Sequence, residues 1–269
     1  MHAPLDLYRR LIATQMRAQM QYPVAFWFDL FTTGLITTLS FGSLALILQR
    51  FEGIGGWTLG EVAFLYGMVE MAFGVMDMLF SGFDPPYFAR YVRLGQFDQL
   101  LLRPVNVTLQ VLGSRLEIRR LGRIGQGLVI FCVALALTKV RWTLVKLLYL
   151  PVVFISLVSF FGGLFIVGAT ITFWTVESIE VINILTYGGN EMIAYPMHIY
   201  RDWMRRFFTI IVPAIFLNYY PALYFLDKPD PFNLPGFAPF LAPVAGLGTL
   251  ALALAFWGFG IRHYTSTGS

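Results

Sequence analysis

LLYLPVVFISLVSFFGGLFIVGATITFWT, residues 147–175, runs for 29 residues without a charged side chain. A helix rises about 1.5 Å per residue and a bilayer's hydrocarbon core is about 30 Å thick, so about 20 apolar residues cross it. This run is long enough to do so. Working outward, further apolar runs lie at about 24–48, 59–80, 109–138, 205–225 and 240–262. The expected fold class is therefore an all-α integral membrane protein, with six transmembrane helices in a single domain, 1–269. In the third run the apolar core is short unless the helix starts near Leu109, which sets Arg115, Arg119, Arg120 and Arg123 on its inner end as snorkelling residues.

Composition agrees with this reading. Hydrophobic residues make up 57% of the chain and charged residues 13%, and the mean hydropathy is +0.68, far from the usage of water-soluble domains. The net charge of +4 does not signal nucleic acid, because the basic residues fall between apolar runs and form no tract interleaved with aromatics. They report topology instead, since Lys and Arg near span ends stay on the cytoplasmic side. With the N-terminus inside, the inner segments hold 14 basic residues and the outer loops five. The expectation is a multi-pass protein of a bacterial-type plasma (inner) membrane, with both termini cytoplasmic.

The most informative loop is residues 82–106. Asp84 before Pro85 and Pro86 can cap and open a short helix, and Gly95 can end it, with Phe88, Tyr91 and Val92 on one face. Leu94-Gly-Gln-Phe-Asp-Gln-Leu-Leu-Leu-Arg-Pro-Val105 resembles the G-x-(L/F)-D-x-x-L-(L/V)-x-P signature that follows the second span of ABC-2-type permeases. Tyr195-Pro196, Ile199-Tyr200 and residues 211–221 are similar to a second conserved region of that family, in the branch that includes paired, viologen-type exporters.

The resemblance implies a type V exporter-like permease that works as a dimer, either a homodimer or a heterodimer with a related permease. Two copies of an ABC ATPase subunit would lie beneath it, and ATP and Mg would be bound by that partner, with no cofactor on this chain. It also implies that residues 84–104 hold a coupling helix seated on the ATPase. Asp98, Arg103 and Pro104 occupy signature positions with Gly95, while Asp84, Pro85, Phe88, Arg90 and Arg93 join them by helix position. The function implied is the permease of an ATP-driven exporter, moving an amphipathic, drug-like or lipid-like substrate by alternating access. An ATP-independent channel or secondary transporter is the alternative reading, followed by an intramembrane enzyme.

Acidic side chains within apolar runs are costly, about 2.5 to 3.5 kcal/mol at mid-span, and so face a cavity or a partner. Asp29, Glu70 and Asp77 are such residues. Glu70 and Asp77, two helical turns apart, share one face, with Met71 among the soft side chains beside them. That face either lines a translocation path favouring amphipathic or cationic cargo, or pairs with arginines on neighbouring helices. Glu177, Glu180, Glu191 and Asp202 read as a cytoplasmic link of about 30 residues after the fourth span.

Catalytic chemistry has no sequence support. The chain contains no Gly-x-x-x-x-Gly-Lys-Ser/Thr loop and no Gly-Lys dipeptide, so it lacks the usual phosphate cradle. His2, His198 and His263 make no metal-ligand spacing with the single cysteine, Cys132. No catalytic residue and no metal site is expected.

Overall fold

The structure, a computed structural model, describes residues 4–50, 53–177 and 180–266, with the side chains of 4–9, 37, 40, 44, 45, 47–50 and 211 outside that description. His2 is thus outside the described residues. Helices dominate: α1 (Pro4–Met20), α2 (Pro23–Arg50), α3 (Leu59–Phe80), α4 (Pro85–Arg93), α5 (Gln96–Leu101), α6 (Val107–Leu112), α7 (Leu121–Thr138) and α8 (Leu144–Thr175) fill the first two thirds. Next come α9 (Glu180–Asn183), a π turn (Ile184–Gly188), α10 (Gly189–Ile193), α11 (Asp202–Arg206), α12 (Tyr219–Phe225) and α13 (Ala242–His263). Among the described residues the only β contact is an isolated bridge between Ile54 and Trp57.

Among the described residues five helical segments are long and apolar enough to cross a membrane, and a sixth counts if the pair 202–210 and 213–225 is one span. Two helix pairs form the body, α3 antiparallel to α7 and α8 parallel to α13. Glycine decides how close they come. A Cβ at Gly67 would stand 2.7 Å from Phe131 N, and one at Gly127 2.6 Å from Met71 N. The α3–α7 crossing therefore needs bare backbone on both sides, as small-residue packing in membranes does.

The bundle has two recognisable ends. At the Gly55 end, Gly60 lies against Leu137, Lys146 Nζ reaches the Phe225 carbonyl at 3.0 Å, and Lys228 Nζ meets Glu61 at 2.8 Å. At the Pro85 end lie α4, α5 and the start of α7.

Residues 180–199 depart from the sequence expectation. Ile182 packs where Pro85 meets Gly168, and the Tyr187 ring lies 5.4 Å from Phe73. Asn190 Nδ2 donates to Glu70 at 3.2 Å. Asn218 Nδ2 bridges the carbonyls of Ile193 and Leu65 at 2.9 and 3.1 Å, and His198 Nε2 lies 2.7 Å from the Gly55 carbonyl. As this stretch ascends from 182 to 198, its neighbours on the α3 strand of chain descend from 85 to 55. It runs the length of the bundle.

The pair 202–210 and 213–225, which covers the span expected at 205–225, is bent by 73°. Arg205 sits 4.5 Å over the Phe232 ring at one of its ends, and the Phe225 carbonyl contacts Lys146 at the other. Both ends therefore lie at the Gly55 end. Over 180–199, part of the link expected after the fourth span, the chain has partners inside the bundle. Hydropathy scores Asn183, Asn190 and Glu191 as solvent-seeking, while the fold gives the Asn190 amide a partner inside the bundle.

Candidate functional site

Glu70 and Asp77 descend one face of α3, and Asp84, seven residues further, opens α4. Opposite them the segment 115–123 enters α7 through a short 3-10 turn at Ile118–Arg120, and its arginines meet the carboxylates in reverse order. Arg123 donates to both Glu70 oxygens, at 2.6 and 2.8 Å. Arg120 Nε stands 2.7 Å from Asp77 Oδ2, without the alignment of a hydrogen bond. Arg115 is 4.0 Å from Asp84 and 4.7 Å from the Tyr87 ring centroid. Glu117 takes Arg115 and Arg119, each at 2.5 Å, and Arg123 also lies 4.5 Å over Phe73.

The Glu70–Arg123 pair is the deepest rung, with side chains 2% and 14% exposed. Its bidentate geometry and the amide of Asn190 offset the desolvation of two charges. Pairing does not close the site. A cavity of about 410 Å³ opens beside it, lined by Thr33 and Ile36 of α2, Tyr66 and Glu70 of α3, Arg120 and Arg123, and Glu191 and Tyr195 from α10 and its end.

Of the four residues read from sequence as a path, Glu70 alone is on that wall. Asp77 is buried on its arginine. Met71 lies at the α3–α7 crossing against Gly127. Asp29 borders a different cavity, with Gln15, Arg115, Glu117 and Arg119. Sequence reading placed Glu191 in a link and missed the cavity's other acid; the Gly188-Gly189-Asn190-Glu191 run in a half-apolar stretch was the available signal.

At the Pro85 end, α4 covers Pro85 to Arg93 with Asp84 at its N-cap, although the Asp84 side chain makes no capping hydrogen bond. Gly95 ends it with φ +66°, the left-handed cap conformation that favours glycine. Phe88 does not face outward. It is fully buried, 5.4 Å from Trp257, 5.5 Å from Phe97 and 5.6 Å from Phe173 by ring centroid. Pro85 is buried too, whereas Arg90, Arg93, Arg103 and Pro104 are exposed beside Leu94, Leu101, Leu102 and Val105. Asp98 accepts a hydrogen bond from Ser266 Oγ at 2.7 Å. Among the described residues no group of three His, Cys, Asp or Glu side chains is arranged to hold a metal.

Residues 35–268 match the family model described as ABC-2 family transporter protein. The chain belongs to the ABC-2 transporter family. It is thus a membrane permease of an ABC transporter, a transport subunit, and the family implies association with an ABC ATPase. No curated protein and no solved structure matches this permease. Its all-α architecture, with five to six candidate spans, agrees with that membership.

Proposed function

We propose that the permease forms the path of an ATP-driven exporter, drawing on ATP and Mg held by two copies of its ATPase partner and operating as a homodimer or paired heterodimer. Residues 180–199 make the fifth crossing and 202–225 dip back into the Gly55 end, so six crossings keep both termini on the cytoplasmic side. Arg201, Arg205 and Arg206 then lie outside, and the charge asymmetry falls from 14 against 5 to 11 against 8. An impermeant maleimide applied outside is expected to label Trp203→Cys, in a Cys132→Ser background, as fully as Lys228→Cys, while Leu102→Cys labels only from inside. Labelling of Trp203→Cys from inside alone refutes this topology.

The observation that carries the path assignment is the cavity beside Glu70, an ionisable wall in the middle of the bundle. Its character favours amphipathic cations. Both guanidiniums on the wall already have carboxylate partners, whereas Glu191 has no ion pair among the described residues. Asn190 Oδ1, next to it in the chain, is buried without a donor. Arg120 Nε makes no hydrogen bond but its charge is matched by Asp77, so the charge left without a partner on the wall is the Glu191 carboxylate, and Tyr66 and Tyr195 add aromatic surface that suits positive charge.

The test uses the permease and its ATPase in nanodiscs, with tetraphenylphosphonium and tetraphenylborate as probes of similar shape and opposite sign. ATP-dependent transport and ATPase stimulation are expected with the phosphonium, and Glu191→Gln should raise its half-maximal concentration about tenfold, or ~1.4 kcal/mol, with the borate response unchanged. Flux that persists without nucleotide would overturn the ATP-driven reading. Equal responses to both ions would overturn the charge preference alone.

A further inference from the structure

Asp98 is the acidic residue of the family signature, which by resemblance is a coupling position. Its carboxylate, however, is engaged within the chain by Ser266 Oγ at 2.7 Å. The adjoining Phe97 ring is fully buried and lies 5.0 Å from the Tyr264 ring, edge to face. Tyr264 also lies 5.1 Å from Phe173 of α8, and Trp257 of α13 stacks on Phe173 at 5.1 Å. Trp257 Nε1 further donates to Thr108 of α6 at 3.1 Å. The segment after α13 is thus fastened to α5 by a charge-assisted hydrogen bond and an aromatic pair, each a recognised source of directional stabilisation.

We infer that Asp98 is a positioning residue that clamps the end of α13 onto α5, giving the docking tip a second mechanical route into the membrane. The first route is covalent, from α4 into α3 and from α6 into α7. The clamp adds α13 and, through Phe173, α8, so that a push on Leu94, Leu102 and Arg93 displaces both helix pairs together. A chain of packed rings with little free volume transmits such a displacement. This inference rests on the reading of residues 84–104 as the ATPase-docking segment.

If Asp98 instead touched the ATPase with its charge, Asp98→Asn would weaken ATPase binding. A positioning role predicts a different pattern, because an asparagine Oδ1 still accepts from Ser266. Asp98→Asn is expected to behave as wild type. Asp98→Ala, Ser266→Ala and Tyr264→Ala should each retain the ATPase and its hydrolysis but cut substrate moved per ATP about three- to tenfold. Asp98→Ala combined with Ser266→Ala should lose no more than either alone.

Reconstituted complex is assayed for bound ATPase, hydrolysis and transport in parallel, so a merely structural defect, which lowers all three, is separable. Loss of ATPase binding in Asp98→Asn, or full coupling in both Ser266→Ala and Tyr264→Ala, overturns the clamp. Failure of the wild-type permease to hold an ATPase overturns the docking reading itself.

Discussion

Arg123→Ala is expected to destabilise the permease by about 3–5 kcal/mol, because it leaves the Glu70 carboxylate, 2% exposed, without its bidentate partner. Asn190 would supply one remaining donor, too little to hold a full charge away from water. Replacing both partners, Glu70→Leu with Arg123→Leu, should recover most of the loss, since no charge is then left buried. Denaturant titration of the purified protein in detergent reads both effects. A single-variant loss under about 1 kcal/mol would mean that water from the cavity solvates the pair. Arg120→Ala should cost less, because its contact with Asp77 lacks hydrogen-bond alignment.

Phe88→Ala is expected to cost about 3–5 kcal/mol through the void it leaves among Trp257, Phe97 and Phe173. Its effect on ATPase binding would be indirect. The exposed tip gives the opposite separation. Arg93→Glu with Leu102→Asp changes two side chains that face away from the bundle, Leu102 being 85% exposed, so melting should be unchanged while co-purification of the ATPase falls at least tenfold. Retention of full ATPase binding by that double variant would place docking elsewhere. The contrast follows from α4 having two faces: Phe88 holds the helix to the bundle, and Arg90 and Arg93 are exposed.

Much of the bundle is legible because apolar length is a local property. Residues 59–80 and 147–175 read as spans on composition alone, and long apolar helices cover both. Polar residues mislead such a reading when their partners are distant in sequence. Asn190 is 120 positions from Glu70, and no window around Glu191 signals a cavity. At 205–225, apolar enough for a span, the chain is bent by 73°, where Pro213 denies the helix a backbone donor and Val212 adopts an extended conformation, and no hydropathy window signals the bend. The acids at 70 and 77 were visible as a shared face, but whether that face met arginines or cargo was open. Glu70 pairs with Arg123 and also borders the cavity.

By itself the sequence determined that this chain lives in a bilayer, that it is helical, and, through the Gly95 to Pro104 signature, which family it belongs to. These rest on apolar run length and on a short contiguous motif, both readable without knowing what lies opposite. Tertiary structure alone decided that residues 180–199 run through the bundle, that Phe88 is an anchor, that Asp98 bonds to Ser266, and that Glu191 faces the cavity. Each of these depends on a partner far along the chain, because desolvation is offset or not by whatever the fold brings within hydrogen-bond reach.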